Sequence, residues 1–428
     1  MSSALSTQSQ STQPQPRQIR FADLESQLLF VFSAVALLAI SCANQVHIET
    51  NDAVKMFPRL ELIARLSATG FGGLIGIYGL LFIERVRNAF FTFPAIWILC
   101  IWILLFFGSV FSPHPDIAFP HLCTFSSVVL FAPTAFAVLG TRLTIYLIFG
   151  SLQLTLVASW LLYFLLPEYG VMIEITDLSG NFVERMGGVS HPNMLASSSV
   201  ICLAIIVYLT VERKMRIWMA VPAAILCVAT LMMTGTRVAI VAFLISVCAV
   251  YRKLLFRRDV FPLAMIAGCI VVATAMWILS EDSGGMASRS ALKSVTRSGN
   301  LDEITSVTGR DKIWAFTLDR IAERPLVGWG PGTAKKLLGE QNMLLHTHNV
   351  VLHIGLAGGV LGALCVIMLF IHQFFISFGG RYPLAAMISF LVLINSMTEL
   401  PIFDYVPGTS TLLFLIAVFW PRLDDGSL

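Results

Sequence analysis

Charge is what this sequence has little of. Only 12% of its 428 residues are Asp, Glu, Lys or Arg, against 57% hydrophobic, and a soluble domain carries roughly twice that charged share. An ordinary water-soluble globule is thereby excluded. Paired cysteines are also missing. Cys42, Cys100, Cys123, Cys202, Cys227, Cys248, Cys269 and Cys365 stand singly in apolar stretches, at no metal-ligand or redox spacing, and read as packing residues. The net charge of +3 is small and its basic residues are scattered, so no nucleic acid is expected as a partner. Metal-ligand spacing is absent among the histidines too. His346 and His348 lie two apart and on a helix would point away from each other, while His346 and His353 are seven apart, about 10 Å of helical rise. Neither a metal nor another cofactor is expected.

Long apolar runs are abundant. Windows of about 17 to 25 residues recur, each able to cross a hydrocarbon core about 30 Å thick. They predict an all-α polytopic membrane protein of about twelve spans, at 26–43, 66–83, 89–110, 118–139, 143–166, 192–211, 217–233, 237–251, 260–280, 347–372, 383–400 and 409–421. Residues 1–25 open as a Ser-, Gln- and Pro-rich stretch that reads as a disordered cytoplasmic tail. Ser41 and Ala43 resemble a signal-peptidase site, but the long polar leader favours an uncleaved first span. Residues 26–428 then form a single transmembrane domain.

Orientation follows from the short connections. With the N-terminus inside, the cytoplasmic side collects Arg85, Arg87, Arg142, Arg213, Lys214, Arg216, Arg252, Lys253, Arg257, Arg258, Arg381 and Arg422, as the positive-inside rule requires. Both termini are then cytoplasmic, and a long loop at 281–346 faces outward. In that loop "GRDKIWAFTLDRIAERP" spaces Ile313, Trp314, Phe316, Leu318 and Ile321 as one apolar helix side that Pro325 stops, and "TAKKLLGEQ" reads as a second short helix.

This topology gathers Arg185, Arg237, Arg310 and His348 on the outer side. An arginine at a membrane rim often only snorkels to headgroup phosphates. Arg237 sits in a tight turn between two apolar helices and against the positive-inside bias, a placement that asks for a compensating anion. Three guanidinium forks on one rim suit phosphate or diphosphate. His348, opening span ten, is suited to accept a hydroxyl proton, or else it caps the helix; Asn349 beside it could orient the imidazole or a substrate hydroxyl. Gly355, Gly359 and Gly362 follow on nearly one helical face, which would pack closely on other helices and aim His348 into the bundle mouth. His353 reads as structural. In "GGVSHPNMLA" the Gly, Ser and Pro residues account for a turn and a capped helix start, yet His191 and Asn193 add polar groups at the mouth. Glu399 and Asp404 could position an acceptor or pair with an arginine.

Taken together, "RMGGVSHPNMLA", "TGTRVA", "TGRDKIWAFTLDRIAERPLVGWGPG" and "HTHNVVLHIGLAGGVLG" resemble the bacterial O-antigen ligase and polysaccharide polymerase superfamily over roughly residues 180 to 370. His348, Asn349, Gly359 and Gly362 fit the ligase signature of His, then Asn, Ser or Gln, nine residues and Gly-x-x-Gly. The resemblance implies an inner-membrane, metal-independent glycosyltransferase with a fold like the membrane-embedded GT-C enzymes. Such an enzyme moves a glycan from an undecaprenyl-diphosphate-linked donor to a sugar hydroxyl, on lipid A core or on another repeat unit, at the periplasmic side of the bilayer. By position, Arg237, Arg310 and His348 match the family's functional residues and Arg185 a further arginine; His191, Asn193, His346 and Asn349 are expected to line the substrate site. A polymerase of O-antigen or exopolysaccharide repeats stays open, because the first 170 residues match in hydropathy alone. The rival of another class is a secondary transporter or flippase with the arginines as its anion site, but no internal repeat supports it.

Overall fold

The computed structural model describes residues 18–43, 57–175, 182–255, 310–341, 346–397, 399, 402–403 and 407–423. Residues 1–17 of the expected tail at 1–25, the span at 260–280, the loop's first part at 281–309 and Asp404 lie outside the described residues, and the tail's last residues, from Gln18, are helical.

The described chain is mostly helical. It runs α1 (Gln18–Ala43), α2 (Phe57–Phe82), α3 (Glu84–Ala89), α4 (Ala95–Val110), α5 (Pro115–Leu165), α6 (Pro167–Gly170), β1 (Val171–Ile175), β2 (Phe182–Met186), α7 (Pro192–Val211), α8 (Ile217–Thr234), α9 (Arg237–Leu255), α10 (Arg310–Glu323), α11 (Ala334–Gly339), α12 (Val350–Phe378), α13 (Pro383–Asn395) and α14 (Thr409–Leu423). Among the described residues six helices are long and apolar enough to cross a membrane, and three shorter apolar helices accompany them. Leu74, Phe82, Phe164, Leu165, Ile217, Trp218 and Phe375 are largely exposed, the apolar surface that a bilayer, unlike water, accommodates. The protein is a multi-pass membrane protein.

Burial sorts the helices. In α7, residues Leu195 to Leu209 are almost all buried, and α14 is buried from Leu412 to Phe419; a helix apolar on every side belongs at the centre of a bundle. Central position accounts for the shortness of α14, which need not span lipid alone.

Two helix interruptions are set by glycine. In α5, Gly140 has φ 70° and ψ 168°, a conformation closed to L side chains. It divides α5 where the sequence predicts two spans. Tyr146 Oη donates to Lys214 O at one end, and Ser159 Oγ accepts from Val189 N at the other, so the second half of α5 runs back antiparallel to the first. In α12 the break is at Gly358 and Gly359, the latter with φ 75° and ψ −175°. The expected unbroken glycine face is thus interrupted between Gly355 and Gly362.

That second break is filled by the segment between α10 and α11. Trp329 N donates to Leu356 O (2.7 Å), Gly330 N to Ala357 O (3.0 Å), and Val360 N to Pro325 O (2.8 Å). The strap at 324–332 therefore satisfies the groups that a straight helix would pair internally. A Cβ on Gly359 would stand 2.5 Å from Pro325 O, and one on Gly328 2.6 Å from Ala357 O. Arg324 Nη1 donates to Phe111 O and Ser112 Oγ to Trp329 O, tying the strap to the end of α4. Above it α10 and α11 form a small core of Ile313, Ile321, Ala334, Leu337 and Leu338 on Leu356 of α12. The amphipathic reading of α10 holds at Ile313 and Ile321 but not at Leu318, which is 54% exposed.

Two features differ from expectation. Residues 171–175 and 182–186 form an antiparallel hairpin, with Met172 opposite Arg185, in a chain whose apolar periodicity pointed only to helices. The helix α12 begins at Val350, with Asn349 as its N-cap accepting from Leu352 N at 3.1 Å. His348 therefore precedes the helix that it was expected to open.

Candidate active site

The bundle has two chemically different ends. One holds the starts of α7, α9, α10 and α12 and the ends of α8 and α13, and there the polar residues meet. The other holds Arg85, Arg142, Lys214, Arg252, Arg381 and Arg422. Arg85 Nη2 donates to Leu423 O and Arg252 Nη2 to Phe378 O there, both at C-terminal helix ends that favour cations.

Glu399, just past α13, is the hub of the polar end. Its Oε1 accepts from Arg310 Nη2 at 2.8 Å and from Asn193 Nδ2 at 3.2 Å; its Oε2 lies 3.2 Å from His348 Nδ1. The side chains of Arg310, Glu399 and His348 keep only 18%, 24% and 16% of their accessibility. Burial alone would raise the Glu399 pKa, but the hydrogen bond and charge of His348 and the charges of Arg310 and His191 outweigh it, so the carboxyl is held below its ordinary 4.5. An ionised carboxylate only accepts, so the facing Nδ1 carries the imidazole proton when the ring is neutral. Nε2 is then the basic nitrogen.

His348 is held in a rare backbone conformation, with φ 50°. Left-handed backbone costs a non-glycine residue about 1–3 kcal/mol and persists only where its surroundings enforce it. Because residues 346–349 are not helical, His346 and His348 do not point apart as on a helix. Their rings meet edge to face with centroids 6.2 Å apart.

Arg185 is placed differently from a free ligand-binding arginine. It is 5% exposed; Nε donates to Thr234 O (2.7 Å), and Nη2 donates to Asn193 Oδ1 and Thr236 Oγ1 (each 2.8 Å). Gly187 N and Gly188 N both donate to Gly170 O, fixing the hairpin that presents it. Arg185 thereby braces the turn before Arg237. Thr236 Oγ1 donates in turn to Asn193 Oδ1 at 3.2 Å. Arg237, exposed, is the first residue of α9, at a helix end where backbone N–H groups also favour an anion. His191 N-caps α7, its Nδ1 accepting from Asn193 N at 3.2 Å. Asn349 serves chiefly as the α12 cap, and His353, 3% exposed, is buried farther along that helix.

The structure thus joins Arg185, Asn193, Glu399, Arg310 and His348 in one hydrogen-bonded chain, with His191, Arg237 and His346 at its edge. The central part of Glu399 and the bracing by Thr236 had no signal in spacing, since 51 residues separate His348 from Glu399. Only the shared side of the membrane hinted at it. Among the described residues no three of His, Cys, Asp and Glu cluster as metal ligands would.

No curated protein matches the chain. Arg237, Arg310, His348 and the signature glycines lie inside a stretch that matches a family, whereas Arg185, His191, Asn193 and Glu399 lie outside it. Residues 222–367 match the family described as Wzy_C, O-antigen ligase, whose members are glycosyltransferase-like ligases and polymerases, and this supports placing the protein in the O-antigen ligase superfamily.

Proposed function

We propose that the protein is an inner-membrane glycosyltransferase of O-antigen ligase type, moving a glycan from an undecaprenyl-diphosphate-linked donor to a sugar hydroxyl at the periplasmic face. The observation that carries this reading is Glu399 bridging His348 and Arg310. It couples a general base to an anion-binding group at one end of a membrane bundle.

In the reaction, Nε2 of His348 takes the acceptor hydroxyl's proton while Glu399 holds the ring by Nδ1. The acceptor oxygen attacks the anomeric carbon, and the bond from that carbon to the diphosphate breaks. The lipid diphosphate leaves with the electron pair, and direct displacement inverts the anomeric centre. Arg237 and Arg310 stabilise the leaving diphosphate most where its charge is growing, in the transition state. Arg185 keeps the Arg237 turn and Asn193 in place. The basic helix ends opposite the site favour the orientation with both termini cytoplasmic.

Transfer by the purified protein from a defined undecaprenyl diphosphate glycan tests this directly. A product on lipid A core supports the ligase; a product only on a second repeat unit shifts the reading to a polymerase. Flipping of the lipid without a new glycosidic bond would overturn both.

A further inference from the structure

Trp314 stands one turn along α10 from Arg310, so the two side chains reach the same neighbourhood. Arg310 meets His348 through Glu399. Trp314 meets it from the backbone side: its Nε1 donates to Thr347 O at 3.0 Å, the carbonyl of the peptide entering His348. Thr347 is fully buried, and its Oγ1 donates across His348 to Asn349 O at 3.2 Å. The left-handed turn is thereby held at the peptide before it and bridged to the residue after it. Released at Thr347, the backbone would relax toward negative φ, and the imidazole would swing away from Glu399.

The geometry points to Trp314 as a positioning residue for His348: its indole N–H holds the left-handed backbone that delivers the imidazole to Glu399. Because α10 also supplies Arg310, one helix then sets both the base and the anion-binding group. The strap at 324–332 supports that helix, since Trp329 Nε1 donates to Arg320 O at 2.8 Å. Only the activity readout of this inference rests on the proposed function.

The test compares full-length Trp314→Phe, which keeps a packed ring without the donor, with Trp314→Gln, which keeps an N–H donor. Expected for Trp314→Phe is a kcat for glycan transfer about 10- to 100-fold lower, with the donor KM changed by no more than about twofold. Trp314→Gln should recover much of that loss. In a His348→Ala background Trp314→Phe should cost nothing further, because groups acting as one unit are not additive. A readout independent of activity is the rate at which diethyl pyrocarbonate modifies His348, followed by peptide mass spectrometry; it should rise several-fold in Trp314→Phe. An unchanged modification rate, or an equal loss in the His348→Ala background, would overturn the assignment. If the wild-type protein transferred no glycan, the function would fall and the modification rate would still decide the role of Trp314.

Discussion

Glu399 accepts on both carboxylate oxygens, from Arg310 and Asn193 on one and from His348 on the other. A glutamine offers one carbonyl and one NH2, so it cannot accept on both sides. Glu399→Gln is therefore expected to lower glycan transfer by about 100- to 10,000-fold, chiefly through a misoriented or wrongly protonated imidazole. The same carboxyl sets an acid limit on stability. Its folded pKa lies below the ordinary 4.5, so the folded state binds this proton less readily than the unfolded one. The contribution is complete above that value and is lost as pH falls below it. In detergent, the melting temperature of the wild type should fall more steeply from about pH 5 to pH 3 than that of Glu399→Gln. His348→Ala should leave donor binding nearly intact while lowering transfer by about 100- to 10,000-fold. Arg237→Ala and Arg310→Ala should weaken both, as measured with a labelled polyprenyl diphosphate.

At the scale of elements, the signature glycines have unequal tasks. Gly359 breaks α12 at positive φ against the Pro325 carbonyl, whereas a Cβ on Gly362 would meet Ile354 O at 3.1 Å without positive φ. Gly359→Ala should cost about 1–3 kcal/mol from backbone strain alone, with displacement of the strap in addition; Gly362→Ala should cost less. Thermal unfolding of the two variants side by side checks this order. The glycine spacing was legible in the sequence, but a regular period reads as one continuous helix face. The break depends on the strap, whose N–H groups take over the carbonyls of Leu356 and Ala357.

For the whole molecule, the separation of basic helix ends from the polar end makes orientation testable. Lys335 and Arg381 are exposed at opposite ends. In spheroplasts of a background with the native cysteines replaced, a membrane-impermeant maleimide should label Lys335→Cys. It should label Arg381→Cys only after permeabilisation; the reverse pattern would invert the topology.

Apolar run length and the distribution of lysine and arginine determined the bundle: each span must satisfy its own backbone in lipid, so helices at 192–211, 217–233 and 383–400 were legible from local composition. Their observed counterparts are Pro192–Val211, Ile217–Thr234 and Pro383–Asn395. The side shared by Arg237, Arg310 and His348 was legible for the same reason. Tertiary structure alone decided what each polar residue touches. Arg185 is buried on protein acceptors because a hairpin carries it there, and Glu399 becomes the hub because the end of α13 meets the starts of α7, α10 and α12. His348 is left-handed because its neighbours hold the peptides around it. Those contacts join residues far apart in the chain, and no periodicity along the sequence encodes them.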